Sequence, residues 1–124
     1  MEVRERILSQ VLIKDGGMGT QIEARGGVIN GDMLWAAKFL IDDPEMIYKI
    51  HKDYFEAGAD IGISATYNAS KPGFLKRGLT EEEAVQKVRL SVELVKRARD
   101  DFWSITENRQ NRQKPLVYGS IGCY

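Results

Sequence analysis

A chain of 124 residues has room for one domain, and 43% hydrophobic with 29% charged residues is a globular composition able to bury a core. Its 18 Lys and Arg balance 18 Asp and Glu, so no net field draws it to nucleic acid or to an anionic membrane. No stretch reaches the roughly 18 uninterrupted apolar residues that a membrane span needs. Residues 1–10, with Glu2, Arg4, Glu5 and Arg6, lack the apolar run of a secretory signal, and a cytoplasmic protein is expected.

Val3, Ile7 and Leu8 fall on one side of a short helical segment. Residues 11–13 form an apolar run ending at Lys14-Asp15-Gly16-Gly17, the pattern of a first buried strand entering a loop. A short helix over residues 20–25 follows, and Gly26-Gly27 and Asn30-Gly31-Asp32 then open a long loop that reaches Trp35. Trp35, beside Leu34, Ala36 and Ala37, is expected to pack. The next helix has a legible start in Asp43 as cap, Pro44 at the first helical position and Glu45 near the positive end of the dipole. Ile47, Ile50, Tyr54 and Ala57 recur at helical spacing before Gly58 stops it, and His51, one residue off that face, is expected at the surface or its boundary.

Residues 60–65 read as a second strand. Thr80-Glu81-Glu82-Glu83 matches a capping box, after which Ala84, Val88, Val92, Val95 and Phe102 trace one helical face; Lys87, Arg89, Glu93, Lys96 and Arg97 are expected in solvent. Residues 106–114 should be a loop, and Leu116-Val117-Tyr118 a third strand entering Gly119-Ser120-Ile121-Gly122. Alternating strands and helices with long crossovers predict an α/β fold with a parallel sheet, and the pattern alone leaves a doubly wound sheet and a (β/α)₈ barrel both open.

In parallel α/β folds the carboxyl ends of the strands face the active site. Here those ends are Asp15-Gly16-Gly17, Ser64-Ala65-Thr66-Tyr67 and Gly119-Ser120. Glycines there let a ligand approach the backbone, and an Asp beside them can accept hydrogen bonds from an ammonium group; equally, the glycines are turn residues and Asp15 a cap. Tyr67, just after a strand, is a candidate to line a pocket. Nucleotide signatures are weak: Gly17-Met18-Gly19 lacks the rest of a dinucleotide fingerprint, and no phosphate loop exists. Cys123, the single cysteine, can form no internal disulfide and cannot alone bind a structural zinc.

Several segments, taken in order, resemble the homocysteine S-methyltransferase family. They are Asp15-Gly16-Gly17-Met18-Gly19-Thr20, Glu23-Ala24-Arg25-Gly26, Leu34-Trp35-Ala36-Ala37-Lys38, Asp43-Pro44-Glu45-Met46-Ile47 and Asp53-Tyr54-Phe55-Glu56-Ala57-Gly58-Ala59-Asp60. The likeness continues through Ala65-Thr66-Tyr67-Asn68-Ala69-Ser70, Gly73-Phe74, Arg77-Gly78-Leu79, Ser91-Val92-Glu93-Leu94 and Gly119-Ser120-Ile121-Gly122. Gln21, Asn68 and Cys123 stand where family members commonly have Glu, Gln and Pro.

The resemblance implies a (β/α)₈ barrel that transfers a methyl group from S-methylmethionine or S-adenosylmethionine to homocysteine, giving methionine. It also implies zinc held by three cysteine thiolates, which activates the homocysteine sulfur. The cysteine ligands implied for that zinc are absent from this chain. Residues 1–124 would then be one partial homocysteine-binding domain, truncated at its C-terminal side, with about three of the eight strands. Carried onto matching positions, Asp15 would hold the homocysteine amino group, and Gly16 and Gly17 would let the amino acid lie against the first loop. Thr66 and Tyr67 would line the pocket from the second strand, and Gly119 and Ser120 would be the small residues ending the third. The alternative expectation is a non-catalytic remnant or interaction module.

Overall fold

The structure, a computed structural model, describes residues 2–122; Cys123 lies outside them. At its centre β1 (Ile61–Ile63) and β2 (Leu116–Tyr118) pair in parallel, with Ile61 opposite Leu116 and Ile63 opposite Tyr118. The strand expected at residues 11–13 does not form. Its place on the other flank of β1 is held by one parallel bridge between Lys14 and Ile61, where Asp15 N donates to the Ile61 carbonyl at 2.9 Å and Ile61 N donates to the Ile13 carbonyl at 3.2 Å. Val11 is 95% and Ile13 63% exposed, so no apolar layer rewards a longer ladder there. The result is a helix-rich α/β fold with a two-stranded sheet.

The helix α1 spans Val3–Ser9, α2 Met18–Ala24, α3 Phe39–Asp42, α4 Pro44–Glu56, α5 Lys71–Lys76 and α6 Glu81–Ser104. Two of these helices, α4 and α6, pack directly behind that sheet. Local chemistry starts α4 and α6 as expected. Asp43 Oδ1 accepts the Met46 N–H at 3.3 Å, and Thr80 and Glu83 exchange side chain to backbone hydrogen bonds at 3.1 and 3.2 Å. Phe55 near the end of α4 and Ala59 just beyond it meet Val95, Ala98 and Phe102 of α6 beneath the sheet. Of the helical face expected on α6, Ala84, Val95 and Phe102 are buried whereas Val88 is 39% exposed; Ser91, Leu94 and Ala98 are buried instead. The buried stripe turns along so long a helix because it packs in succession on α5, α4 and the sheet.

Gly62 lets β1 sit directly on this layer. A Cβ there would lie 2.5 Å from Phe55 Cζ and 2.8 Å from Val95 Cγ2. Gly62→Ala is expected to lower the unfolding free energy by about 1–3 kcal/mol, read as a lower urea midpoint at unchanged slope. An unchanged midpoint would show that Phe55 can yield without cost.

Burial departs from the local pattern in three places, two of them, at Trp35 and His51, against expectation. The apolar side of α1 faces out, with Val3 47%, Ile7 50% and Leu8 76% exposed; the buried residue is Arg6, whose guanidinium reaches across to donate to the Lys114 carbonyl at 2.8 Å. Trp35 is 47% exposed rather than packed. It opens a 3₁₀ turn (Trp35–Lys38) at φ 48°, a left-handed conformation unusual for an aromatic residue, and Leu34 and Ala37 take the interior in its place. His51 is 1% exposed, because α4 is covered by α2, α3, α6 and β1 and its buried arc widens to take in Ile47, Ile50, His51 and Phe55. Neither ring nitrogen has a hydrogen-bond partner, and burial lowers its pKa from 6.5 to about 4.

Turn chemistry missed in the sequence adds two elements. Ser70 Oγ accepts the Gly73 N–H at 3.2 Å and starts α5, while α3 continues from the turn at Trp35. Arg77, after α5, pairs with Asp32 at 2.9 Å and Asp42 at 2.7 Å and so holds the long loop against α3.

Candidate functional site

Where the strand ends converge, a cavity of about 400 Å³ opens, lined by the segment 14–18, Ala36, Ala37, residues 63–65, Tyr67, Asn68 and Ser120. That size suits a small metabolite. Of the residues singled out in the sequence, Asp15, Gly16, Gly17, Tyr67 and Ser120 come together here; Thr66 and Gly119 do not line it. Thr66 is buried, with its hydroxyl spent on the Ser120 carbonyl at 2.8 Å, and Gly119 is exposed with open space where a Cβ would be.

Asp15 is 7% exposed. Its Oδ2 accepts the Ile63 N–H at 3.0 Å, which docks the carboxylate on the end of β1, and its Oδ1 lies 4.0 Å from Lys14 Nζ. Burial raises its pKa above the ordinary 3.8, while the Ile63 N–H and the Lys14 ammonium pull the other way. A carboxylate fixed through one oxygen, at the wall of a cavity, keeps acceptor capacity for an ammonium group.

The loop behind it is held by Tyr54 of α4, a residue the sequence presents as core. Tyr54 Oη donates to the Gly17 carbonyl at 2.9 Å and stands 2.7 Å from where a Gly16 Cβ would be. Glycine at 16 therefore allows α4 to press on the loop from behind while Asp15 faces the cavity. Nothing in the helical spacing of Tyr54 distinguishes this contact from packing.

Ser64, just past β1, also lines the cavity. Its visible signal is the hydroxyl pair Ser64 and Thr66, two apart in extended chain and so on one face. Ser64 Oγ lies 2.8 Å from Thr66 Oγ1 and accepts the Ser120 N–H at 3.0 Å. Among the described residues no group of three or more His, Cys, Asp or Glu side chains could hold a metal, and no helix is long and apolar enough to cross a membrane. The described residues offer a carboxylate acceptor and open backbone at the cavity wall; they do not fit the zinc that the resemblance implies.

A small parallel sheet with a carboxylate and a glycine turn at its strand ends places the cavity where α/β folds carry their sites. The homocysteine S-methyltransferase family model matches residues 12–124, and the chain belongs to that family. It is 48% identical over 114 residues to a homocysteine S-methyltransferase of Bacillus subtilis strain 168, covering 92% of this chain and 36% of that protein. It is 40% identical over 119 residues to a selenocysteine methyltransferase of Astragalus bisulcatus, covering 88% of this chain and 35% of that one. The crystal structure of the homocysteine methyltransferase MmuM from Escherichia coli, metallated form, superposes with a TM-score of 0.85 at 41% identity, over 98% of this chain and 41% of that chain. The chain thus spans little more than a third of the length of these relatives.

Proposed function

We propose that this chain supplies the amino-acid-binding portion of a homocysteine S-methyltransferase, in the cytoplasm, as part of a (β/α)₈ barrel. The observation that carries the reading is Asp15, buried at the cavity wall with one oxygen held by the Ile63 N–H. Homocysteine would place its ammonium group on that carboxylate and its backbone against Gly16 and Gly17. The whole protein would pass a methyl group from the sulfonium of S-methylmethionine or S-adenosylmethionine to the homocysteine sulfur. The homocysteine sulfur reacts as the thiolate, its proton already given to solvent: a new carbon–sulfur bond forms there as the sulfonium carbon–sulfur bond breaks, and the electron pair returns to the donor sulfur. Alignment by Asp15, Gly16 and Gly17 matters because charge is lost on the way to the transition state, so geometry outweighs charge stabilisation.

Zinc bound by three cysteine thiolates belongs to this proposal as an expectation for the whole protein. Its ligands would lie outside residues 2–122, and no role assigned to the residues above passes through it. Relatives named for homocysteine and for selenocysteine share an α-amino acid carrying a chalcogen nucleophile, which supports recognition through the amino-acid end.

Titrating the chain with homocysteine, and separately with 4-mercaptobutyrate, which lacks only the amino group, tests this. Homocysteine is expected to shift the amide resonances of Asp15, Gly16, Gly17 and Ser120, and 4-mercaptobutyrate to bind at least tenfold more weakly. Equal binding, or shifts confined to another surface, would overturn the reading.

A further inference from the structure

The part of the cavity wall formed by Ser64 and Ser120 is built by a closed ring of hydrogen bonds. The Thr66 hydroxyl donates to the Ser120 carbonyl at 2.8 Å. Thr66 has one proton, so in the 2.8 Å contact between the two hydroxyls Ser64 is the donor and Thr66 the acceptor. Ser64, its proton spent, accepts the Ser120 N–H at 3.0 Å. Both backbone groups of Ser120 are thereby satisfied by two side chains from the end of β1, at a point where β2 has already finished at Tyr118. Ser64 is 4% and Thr66 9% exposed, so little water is at hand to replace either bond. Each hydroxyl donates one bond and accepts one, an arrangement in which neighbouring bonds polarise and strengthen one another.

The backbone ladder reaches its last rung where Ser64 N donates to the Tyr118 carbonyl at 3.0 Å. Beyond it, among the described residues, the hydrogen bonds that hold residues 119–120 are those of the ring. Gly119 offers no side chain to pack, and Ser120 lines the cavity.

We infer that Ser64 and Thr66 are positioning residues for the amino-acid pocket: their hydroxyl ring carries the β1–β2 pairing on to Ser120, two residues past Tyr118, and sets where Ser120 stands relative to Asp15. This rests on the function proposed above. Thr66, expected from the family resemblance to line the pocket, acts from behind it, and Ser64 spends its hydroxyl on the wall rather than on a ligand.

The test separates hydroxyl from shape. Thr66→Val keeps the volume and removes the hydroxyl; Thr66→Ser keeps the hydroxyl and removes a methyl group; Ser64→Ala opens the ring at its other corner. Two quantities are read on each chain: amide hydrogen exchange at Ser120, which needs no ligand, and homocysteine affinity. Exchange at Val95 and Ala98 in α6 serves as the measure of global stability. Thr66→Val and Ser64→Ala are expected to speed Ser120 exchange at least tenfold and weaken homocysteine about tenfold with α6 unchanged, and Thr66→Ser to stay within about twofold on both. If Thr66→Val matches Thr66→Ser, or Ser120 quickens only in step with α6, the ring does not position the wall. If the unchanged chain fails to bind homocysteine, the pocket function and its positioning role fall together, and equal Ser120 exchange in all chains would remove the latch as well.

Discussion

Asp15→Asn is expected to weaken homocysteine binding roughly 30- to 150-fold, the equivalent of about 2–3 kcal/mol for a hydrogen bond to a charged partner in a partly desolvated site. The substitution is chosen because an Asn side-chain oxygen can still accept the Ile63 N–H that Asp15 Oδ2 holds at 3.0 Å, so the end of β1 keeps its anchor. What disappears is the charge opposite the ammonium group. Calorimetric titration of the folded variant measures the loss, and affinity within threefold of the unchanged chain would remove Asp15 from the binding role. The pH dependence gives a second reading of the same carboxylate. Burial raises the Asp15 pKa above 3.8, so in the free protein the carboxylate takes up its proton at a higher pH than an ordinary Asp would. Homocysteine affinity should therefore fall on acidification through that raised pKa, and Asp15→Asn should flatten the profile.

Acid should destabilise the chain through His51. The imidazole is buried as the neutral form, with a folded-state pKa of about 4 against 6.5 for the unfolded chain. Between those values the unfolded state binds the proton and the folded state does not. The contribution of His51 to stability is thus fully present above pH 6.5, declines as pH falls, and is lost once pH has passed through 4. The difference in pKa corresponds to about 3 kcal/mol, a large share of the roughly 5–15 kcal/mol that holds a domain together. Urea midpoints at pH 7 and pH 4.5, compared between the unchanged chain and His51→Leu, measure it. The variant has no proton to take up and leaves no buried ring nitrogen without a partner, so it should lose markedly less stability over that interval. Equal losses would assign the acid sensitivity to the carboxylates instead.

Much of the secondary structure was legible because its causes lie within a few residues of one another. Asp43-Pro44 and Thr80-Glu83 start α4 and α6 through contacts three residues apart, and the extended runs at Ile61 and Leu116 stand between turn residues that bound them. The gathering of Asp15, Gly16, Gly17, Tyr67 and Ser120 at one cavity follows from strand order, since parallel strands bring their carboxyl ends to the same edge. The short helices were less visible. Ser70 starts α5 by the same kind of cap as Thr80, but only six helical residues follow, too few to show a period.

Composition, capping and periodicity by themselves determined the helices α4 and α6, the parallel pair and the polar segments at its ends. The tertiary structure alone decided which faces are covered. His51 is buried because four elements close around α4, Trp35 is turned out while Leu34 and Ala37 take the interior, and residues 11–13 remain outside a ladder with Val11 and Ile13 exposed. It also decided that Thr66 bonds a carbonyl 54 residues away instead of facing the cavity, and that Tyr54 reaches the Gly17 carbonyl 37 residues away. A local pattern records what a residue prefers. The partner that satisfies it is set by distant chain brought close in the fold, and a buried hydroxyl or imidazole is governed by that partner, or by the lack of one.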